Sequence, residues 1–281
     1  MAESVNLSTA VRTNLLTLQR TSSLIGDTQT RLSTGLKVNS AIDDAPAFFT
    51  AKALSNTAND LDSLKSNIDL AISTIQSAID GIDAITELVN QAKGLASNAK
   101  ATGDTNERST LAVQFNELLG QIDTIANDSS FNGTNLLQAT PDNLAVEFNT
   151  ANTSNLTITG LDSTTASTGI NIASAANNFG ANGNIDTALT AISSALSSLR
   201  SNASTLGSNN TILSTRLDFT SNLVNTLEGG EGKLTLADLN EESANLLALQ
   251  TRQQLGINSL ALAAQSERSI LALFGDRKSV V

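Results

Sequence analysis

Two long stretches of this 281-residue chain place apolar residues in a heptad pattern. We call them the first seam, from Leu61 to Ala99, and the second seam, from Leu189 to Leu227. An apolar repeat of about 3.5 residues predicts helices that bury one narrow stripe against another helix along their whole length. The stripe of the first seam consists of Leu61, Leu64, Ile68, Ala71, Ile75, Ala78, Ile82, Ile85, Val89, Ala92, Ala96 and Ala99.

Weaker apolar stripes predict amphipathic helices at both ends of the chain and after the first seam. They run from Ser4 to about Leu36, from Asn106 to about Asn127, and from Leu236 to Phe274. Helices in proteins gain most of their stability from packing of an apolar face, and the stripes of the two terminal helices are modest. We therefore expect the two terminal helices to be held weakly in the isolated chain and to be ordered by assembly with copies of the same chain.

The middle of the chain differs from the flanking segments in composition and in hydrophobic pattern. Residues 129–183 are rich in Asn, Thr, Ser and Gly, and they contain two short runs of alternating hydrophobicity at 144–148 and 156–159. Such runs between turn-forming residues predict short strands or hairpins.

The order of these patterns predicts the fold class and the domains. We expect a mainly α protein, an elongated coiled-coil-like helical bundle in which the N- and C-terminal helices pair and a small β-rich segment lies in the middle. The predicted parts are an N-terminal core helix and linker (1–44), a long helix with a third helix (45–128), a β-hairpin segment (129–184), a C-terminal rod helix (185–230) and a C-terminal core helix (231–281).

Composition narrows the functions further. The chain has no His or Cys, so it lacks the usual general base, the commonest metal ligand and thiol chemistry. We predict that it is not an enzyme and that it holds no metal or cofactor. The net charge of -11 disfavours nucleic acid and anionic membranes as partners. The sequence also lacks an apolar stretch long enough for membrane insertion and an N-terminus typical of a cleavable signal peptide.

Three local features allow either a purely structural or a functional interpretation. Asp43 and Asp44 precede Pro46, which favours capping of a new helix over a carboxylate pair or cation site. Gly229–Lys233 predicts a hinge between helices, since it fails the Walker pattern at two positions. Thr235 and Asp238 behind it fit a capping box. Asn210 either sets the register of the second seam or sits at its edge.

Several motifs resemble those of the bacterial flagellin family. Residues 31–44 read Arg-Leu-Ser-Thr-Gly-Leu-Lys-Val-Asn-Ser-Ala-Ile-Asp-Asp, which is similar to the family's N-terminal signature. Residues 131–133 read Phe-Asn-Gly, the turn that follows the family's third helix, and 240–275 resemble its C-terminal helix. The matching signature positions are Arg31, Leu32, Gly35, Asn39, Asp43, Asp44, Phe131, Asn132 and Gly133.

The resemblance implies a structural subunit of the extracellular flagellar filament that polymerises helically for motility and leaves the cell without a cleavable signal peptide. It implies as partners copies of the same chain, the flagellar export machinery and its chaperone, and the filament cap and junction proteins. The terminal helices would line the inner core. The expected polymerisation interface is Leu15, Leu18, Ile25, Leu32, Leu246, Leu249, Ile257, Leu260 and Leu271.

Two alternatives and one departure accompany this resemblance. A hook–filament junction protein resembles flagellin at both ends but joins filaments and does not grow them, whereas a flagellin with a metalloprotease insertion would need His residues. The departure concerns the innate-immune receptor that senses flagellin. Gln91 and Gln114 stand where that receptor's charged Arg and Glu anchors occur in the family, so we expect weakened recognition.

Overall fold

The structure is a computed structural model that describes residues 9–275, and within them the side chains of residues 10, 267 and 270–275 lie outside the description. The chain divides into two compact units. Unit 1 comprises Met1–Ser55 and Leu227–Val281, and unit 2 comprises Asn56–Thr226. The elements are α1 (Thr9–Thr34), α2 (Ala45–Ala101), α3 (Thr105–Asp128), β1 (Ser130–Phe131), β2 (Thr134–Asn135), β3 (Leu144–Glu147), β4 (Asn155–Ile158), a 3-10 turn (Ala176–Phe179), α4 (Asn182–Thr235) and α5 (Leu239–Gly275).

Unit 2 has a continuous apolar core built from three helices. All twelve positions of the first seam are buried on α2. On α4, the second seam contributes Ile192, Leu199 and Leu206, and α3 adds Phe115 and Ile122 to the same cluster. The heptad pattern therefore predicted the buried stripe of α2 correctly at every position, because a 3.5-residue repeat keeps one face of a helix turned towards its partners.

The predicted β-rich middle segment is also confirmed. Strands β3 and β4 form an antiparallel hairpin in which Leu144 pairs with Ile158. Strands β1 and β2 flank a tight turn at Asn132 and Gly133, whose φ angles of 50° and 82° suit a two-residue hairpin. The small sheets and long helices make the protein mainly α, as the sequence predicted.

A buried amide joins this segment to α3. The Nδ2 atom of Asn135 donates to the carbonyl oxygens of Ala126 and Asn127 at 2.9 and 2.8 Å, at the end of α3. Its Oδ1 atom accepts from the backbone N–H groups of Leu137 and Gln138. The side chain thus satisfies carbonyls that a helix end leaves without partners.

The hinge predicted at Gly229–Lys233 is wrong, because α4 continues through these residues to Thr235. Glycine costs about 1 kcal/mol relative to Ala in a helix interior, so packing must outweigh propensity here. A Cβ atom on Gly230 would lie 3.3 Å from Cδ1 of Leu54, and one on Gly232 would lie 3.0 Å from Cδ1 of Leu236. The glycines therefore permit close approach of leucine side chains within unit 1.

The helix caps confirm one prediction and correct another. Oδ1 of Asp44 accepts the backbone N–H of Ala47, so Asp44 caps α2 as expected. The capping box assigned to Thr235 is wrong, since Thr235 is the last residue of α4. Asp238 caps α5 instead, with its Oδ1 accepting the backbone N–H groups of Asn240 and Glu241.

Candidate assembly surface

Helices α1 and α5 contact each other within unit 1, as predicted. On each helix the buried and half-buried side chains recur every three or four residues, which defines a pairing face. Leu18 packs on Gly256, where an added Cβ would lie 3.2 Å from Cγ of the leucine. Near the other end of the pair, Nη1 of Arg31 lies 3.1 Å from Oε1 of the nearly buried Glu242.

The pairing face is only partly apolar. Thr21 and Thr28 are buried on α1, and Glu242 is buried on α5. The hydroxyl of Thr21 donates a hydrogen bond to the carbonyl oxygen of Thr17, within the same helix. Hydroxyl and carboxylate groups contribute less burial energy than the Ile and Leu side chains of the seams in unit 2. The contact between α1 and α5 is therefore weaker per turn than the core of unit 2.

The remaining faces of the terminal helices expose large apolar side chains. Unit 1 exposes eleven large apolar residues among those that the structure describes, and unit 2 exposes four. Leu247, Leu255 and Leu262 lie on the side of α5 away from the pairing face, and each is more than 60% exposed. The other eight in unit 1 are Leu15, Leu16, Leu24, Ile42, Phe49, Leu236, Leu239 and Ile257. Concentrated apolar exposure of this kind marks an interaction surface.

The residues predicted for the polymerisation interface fall into two groups. Leu15 and Ile257 are exposed and free to contact another molecule. Those that lie half-buried on the pairing face are Leu18, Ile25, Leu32, Leu246, Leu249 and Leu260. Leu271 belongs to α5, but its side chain lies outside the described residues.

Sequence reasoning missed the outward leucines because it followed one stripe on each helix. Leu16, Leu24, Leu247, Leu255 and Leu262 fall outside that stripe. The doublets Leu15-Leu16 and Leu246-Leu247 carried the missing signal, because adjacent residues lie about 100° apart around a helix and cannot share one narrow face.

The N-terminal signature residues build the turn that follows α1. Gly35 has a φ of 73°, which favours glycine, and its N–H donates to the carbonyl oxygen of Arg31. The next residues pair with the chain between α4 and α5, through a bridge between Leu36 and Leu236 and a 2.7 Å hydrogen bond from the Lys37 N–H to Thr235. The signature thus joins the two chain segments that lead into the helix pair.

Asp43 holds the loop before α2. Its Oδ2 atom accepts hydrogen bonds from the backbone N–H groups of Ser40 and Asn39 and from the Ser40 hydroxyl, at 2.9 to 3.1 Å. These bonds, that of the Ser40 N–H first, lower the pKa of the Asp43 carboxyl because they favour its charged form. Asp43 therefore has a structural role in the signature, to which Asn39 contributes its backbone N–H.

The two glutamines expected to weaken receptor recognition lie together. Gln91 on α2 and Gln114 on α3 are exposed and line one groove of about 720 Å³. Leu95, Glu117 and Leu118 line the same groove. The structure thus brings together two residues that are 23 positions apart in the sequence.

Charge is divided unevenly between the two units. Unit 2 carries sixteen acidic and six basic residues, a net charge of -10, whereas unit 1 carries eleven acidic and ten basic residues, a net charge of -1. The unit with the exposed leucines is therefore the one in which copies can approach with little mutual repulsion. Among the described residues, no group of acidic side chains is arranged to hold a metal ion, and no helix is long and apolar enough to cross a membrane.

Comparisons with known proteins agree with the resemblance in the sequence. Residues 5–142 match the model of the bacterial flagellin N-terminal helical region, and residues 189–274 match that of the C-terminal helical region. Flagellin FljO of Caulobacter vibrioides is 36% identical over 278 residues, covering 96% of this chain and 98% of the relative. A flagellin of Brucella melitensis is 29% identical over 279 residues, covering 96% and 99%. The crystal structure of Bacillus cereus flagellin aligns with a TM-score of 0.48 and 19% identity, over 55% of this chain and 88% of that one.

Proposed function

The chain belongs to the bacterial flagellin family, and we propose that it polymerises through the outward leucines of its terminal helices. As a member of this family it is a structural subunit of the extracellular bacterial flagellar filament, and it serves motility by assembling with copies of itself. The observation that carries the proposal is the exposure of Leu247, Leu255 and Leu262 on a face of α5 that α1 leaves uncovered.

Burial of these leucines between subunits would supply much of the assembly energy. Each fully buried Leu or Ile contributes about 1.5 to 3 kcal/mol. The near-neutral charge of unit 1 keeps the electrostatic cost of bringing copies together low. A polymer that repeats these contacts along its length needs only a few such side chains per subunit.

We propose separate roles for the two groups of predicted interface residues. Leu15 and Ile257 contact neighbouring subunits directly, together with the outward leucines of α1 and α5. The half-buried group on the pairing face, Leu18, Ile25, Leu32, Leu246, Leu249 and Leu260, holds the two helices together so that their outer faces are presented. Leu271 continues the C-terminal stripe and is assigned to the same interface on its spacing alone.

Membership of the family also suggests further protein partners. We propose export through the flagellar export machinery with the help of a chaperone, without a cleavable signal peptide, followed by contacts with the filament cap and junction proteins. The absence of Cys and the 3% aromatic content suit a chain that must pass unfolded through a narrow channel. The junction-protein alternative gains no specific support from the matching family models or relatives.

Seeded polymerisation tests the assembly surface. Leu255→Asp places a charge on the outward face of α5, and we expect the variant to stay helical as a monomer but to form no sedimentable filaments. The matched control is Val113→Asp, which makes the same kind of change at an exposed apolar residue of α3. Filaments of normal length and yield from Leu255→Asp, seen by electron microscopy, would refute the proposed surface.

A further inference from the structure

The dipeptide Asn-Gly occurs twice in the chain, at 132–133 and at 182–183. Glycine has no side chain to hinder its backbone nitrogen, so this nitrogen can attack the side-chain amide of the preceding asparagine more easily than that of any other residue. The two copies of the dipeptide lie in different settings. Asn132 lies in the turn between β1 and β2, whereas Asn182 is the first residue of α4. Local structure therefore decides which asparagine reacts.

The side-chain carbonyl of Asn182 is bound by a guanidinium. Nη2 of Arg108, in the first turn of α3, donates to Oδ1 of Asn182 at 2.6 Å. Nε of the same arginine donates to the carbonyl oxygen of Thr102 at 2.9 Å, which fixes the guanidinium from a second side. A cation at a carbonyl oxygen stabilises the negative charge that develops there when a nucleophile adds to the carbon. Among the described residues, no arginine or lysine donates to the side chain of Asn132.

The attacking nitrogen of Gly183 is also available. Its N–H donates no backbone hydrogen bond to a described residue, because the first N–H groups of a helix have no carbonyl partner in a preceding turn. The positive end of the α4 dipole favours the amide anion that attacks. Asn182 and Gly183 are both exposed, so water reaches them.

The turn at Asn132 is held on both sides, in contrast. Phe131 pairs with Thr134 across the hairpin. Asn132 and Gly133 have positive φ angles of 50° and 82°, which the two-residue turn requires. Ring closure would move the Gly133 nitrogen towards the side chain of Asn132 and break this turn. At Asn182 the same movement frays a helix by one residue, which costs little.

We propose that Asn182 is a site of spontaneous deamidation, selected over Asn132 by its contact with Arg108. The backbone nitrogen of Gly183 loses its proton to water and forms a bond to Cγ of Asn182, the bond from Cγ to Nδ2 breaks, and ammonia leaves with a proton. A second water opens the resulting succinimide at either carbonyl and gives aspartate or isoaspartate. The net reaction consumes one water, releases one ammonium ion and adds one negative charge to unit 2. It does not depend on the proposed polymerisation.

The aspartate product strengthens the contact between α3 and α4. Arg108 forms no salt bridge with a side chain that the structure describes, so it is available to a new carboxylate. Hydrogen bonds between charged groups are stronger than those to a neutral amide. The carboxylate would also lie at the N-terminus of α4, where the helix dipole favours negative charge. Isoaspartate would instead lengthen the backbone by one methylene group and displace the start of α4.

Peptide mass spectrometry of the folded, full-length chain, incubated at neutral pH, provides the test. Conversion at Asn182 should be about fivefold faster than at Asn132, less than the effect of a donor in a closed active site because the contact is partly exposed to solvent. Arg108→Gln should slow conversion at Asn182 about fivefold and leave Asn132 unchanged. Gly183→Ala should suppress it, and its Cβ would meet no atom within 4 Å. In denaturant the two asparagines should convert at similar rates, since glycine follows both.

Three results would overturn the proposal. The first is conversion at Asn132 that equals or exceeds that at Asn182 in the folded, unmodified chain, a comparison that needs no variant. The second is undiminished conversion at Asn182 in folded Arg108→Gln. The third concerns the product, because Asn182→Asp should raise the midpoint of thermal unfolding and Arg108→Gln should remove that gain. An unchanged or lower midpoint for Asn182→Asp would contradict the expected ion pair.

Discussion

The two units of this protein follow the same heptad rule with different side chains. In unit 2 the twelve repeating positions of the first seam are Ile, Leu, Val and Ala, and all of them are buried. In unit 1 the pairing face of α1 and α5 includes threonine, glutamine and glutamate, and the large apolar residues outside it remain exposed. A unit that buries its apolar residues internally is complete by itself. We propose that unit 1 completes that burial in contact with another copy.

The largest expected difference between the two units is in how much monomer stability is lost when a large apolar side chain is replaced by Ala. Ile75→Ala removes a fully buried side chain from the first seam and should lower the free energy of unfolding by about 2 to 5 kcal/mol. Leu16→Ala removes an exposed side chain from α1 and should change monomer stability by less than about 0.5 kcal/mol. Urea unfolding of the two monomers provides the measurement, and equal losses would contradict the division into complete and incomplete units.

The second prediction concerns binding of the innate-immune receptor to the groove of unit 2 that contains Gln91 and Gln114. Charge-assisted hydrogen bonds contribute about 1.5 to 3 kcal/mol each, so the loss of both charged anchors should weaken receptor binding about a hundredfold or more. Restoring both with Gln91→Arg and Gln114→Glu should recover part of the response in a reporter-cell titration. A full response to the unmodified chain, at the level of an enteric flagellin, would show that the anchors are dispensable here.

Asn210 is a half-buried polar residue on the second seam of unit 2. Its Oδ1 atom is buried and has no hydrogen-bond partner among the described residues. An unsatisfied buried acceptor costs about 1 to 3 kcal/mol, so Asn210→Leu should raise the free energy of unfolding by about 1 kcal/mol. Thermal melting would detect this gain. A loss of stability would instead indicate that Asn210 fixes the register of the second seam.

The smallest effect is expected at Asp43 in unit 1. Hydrogen bonds from the Ser40 and Asn39 N–H groups lower its pKa in the folded state below the ordinary value of 3.8. Its contribution is therefore present above that value and is lost as the pH falls through the lower, folded pKa. Asp43→Asn should flatten the pH dependence of monomer stability in the acidic range. Identical profiles for the variant and the unmodified chain would exclude this role.

Sequence periodicity predicted the core of unit 2 well because the apolar repeat of the first seam continues over many helical turns and marks the same face at each turn. It failed where tertiary contacts oppose local propensity, as at Gly230, which packs closely against Leu54 within the continuous helix α4. The role of Asn135 was also invisible, since a buried amide that caps α3 has no sequence period. The outward face of α5 was missed because Leu247 and Leu255 lie off the single stripe that the pattern followed. The five-part division of the chain remains a prediction.

Protection of the terminal helices before and after assembly tests the central claim most directly. If unit 1 completes its burial only in the filament, limited proteolysis should trim the monomer to about residues 45 to 230. The same protease should leave α1 and α5 uncut in filaments, while the region around Ile75 resists cleavage in both states. Equal cleavage of the terminal helices in monomer and filament would contradict the account.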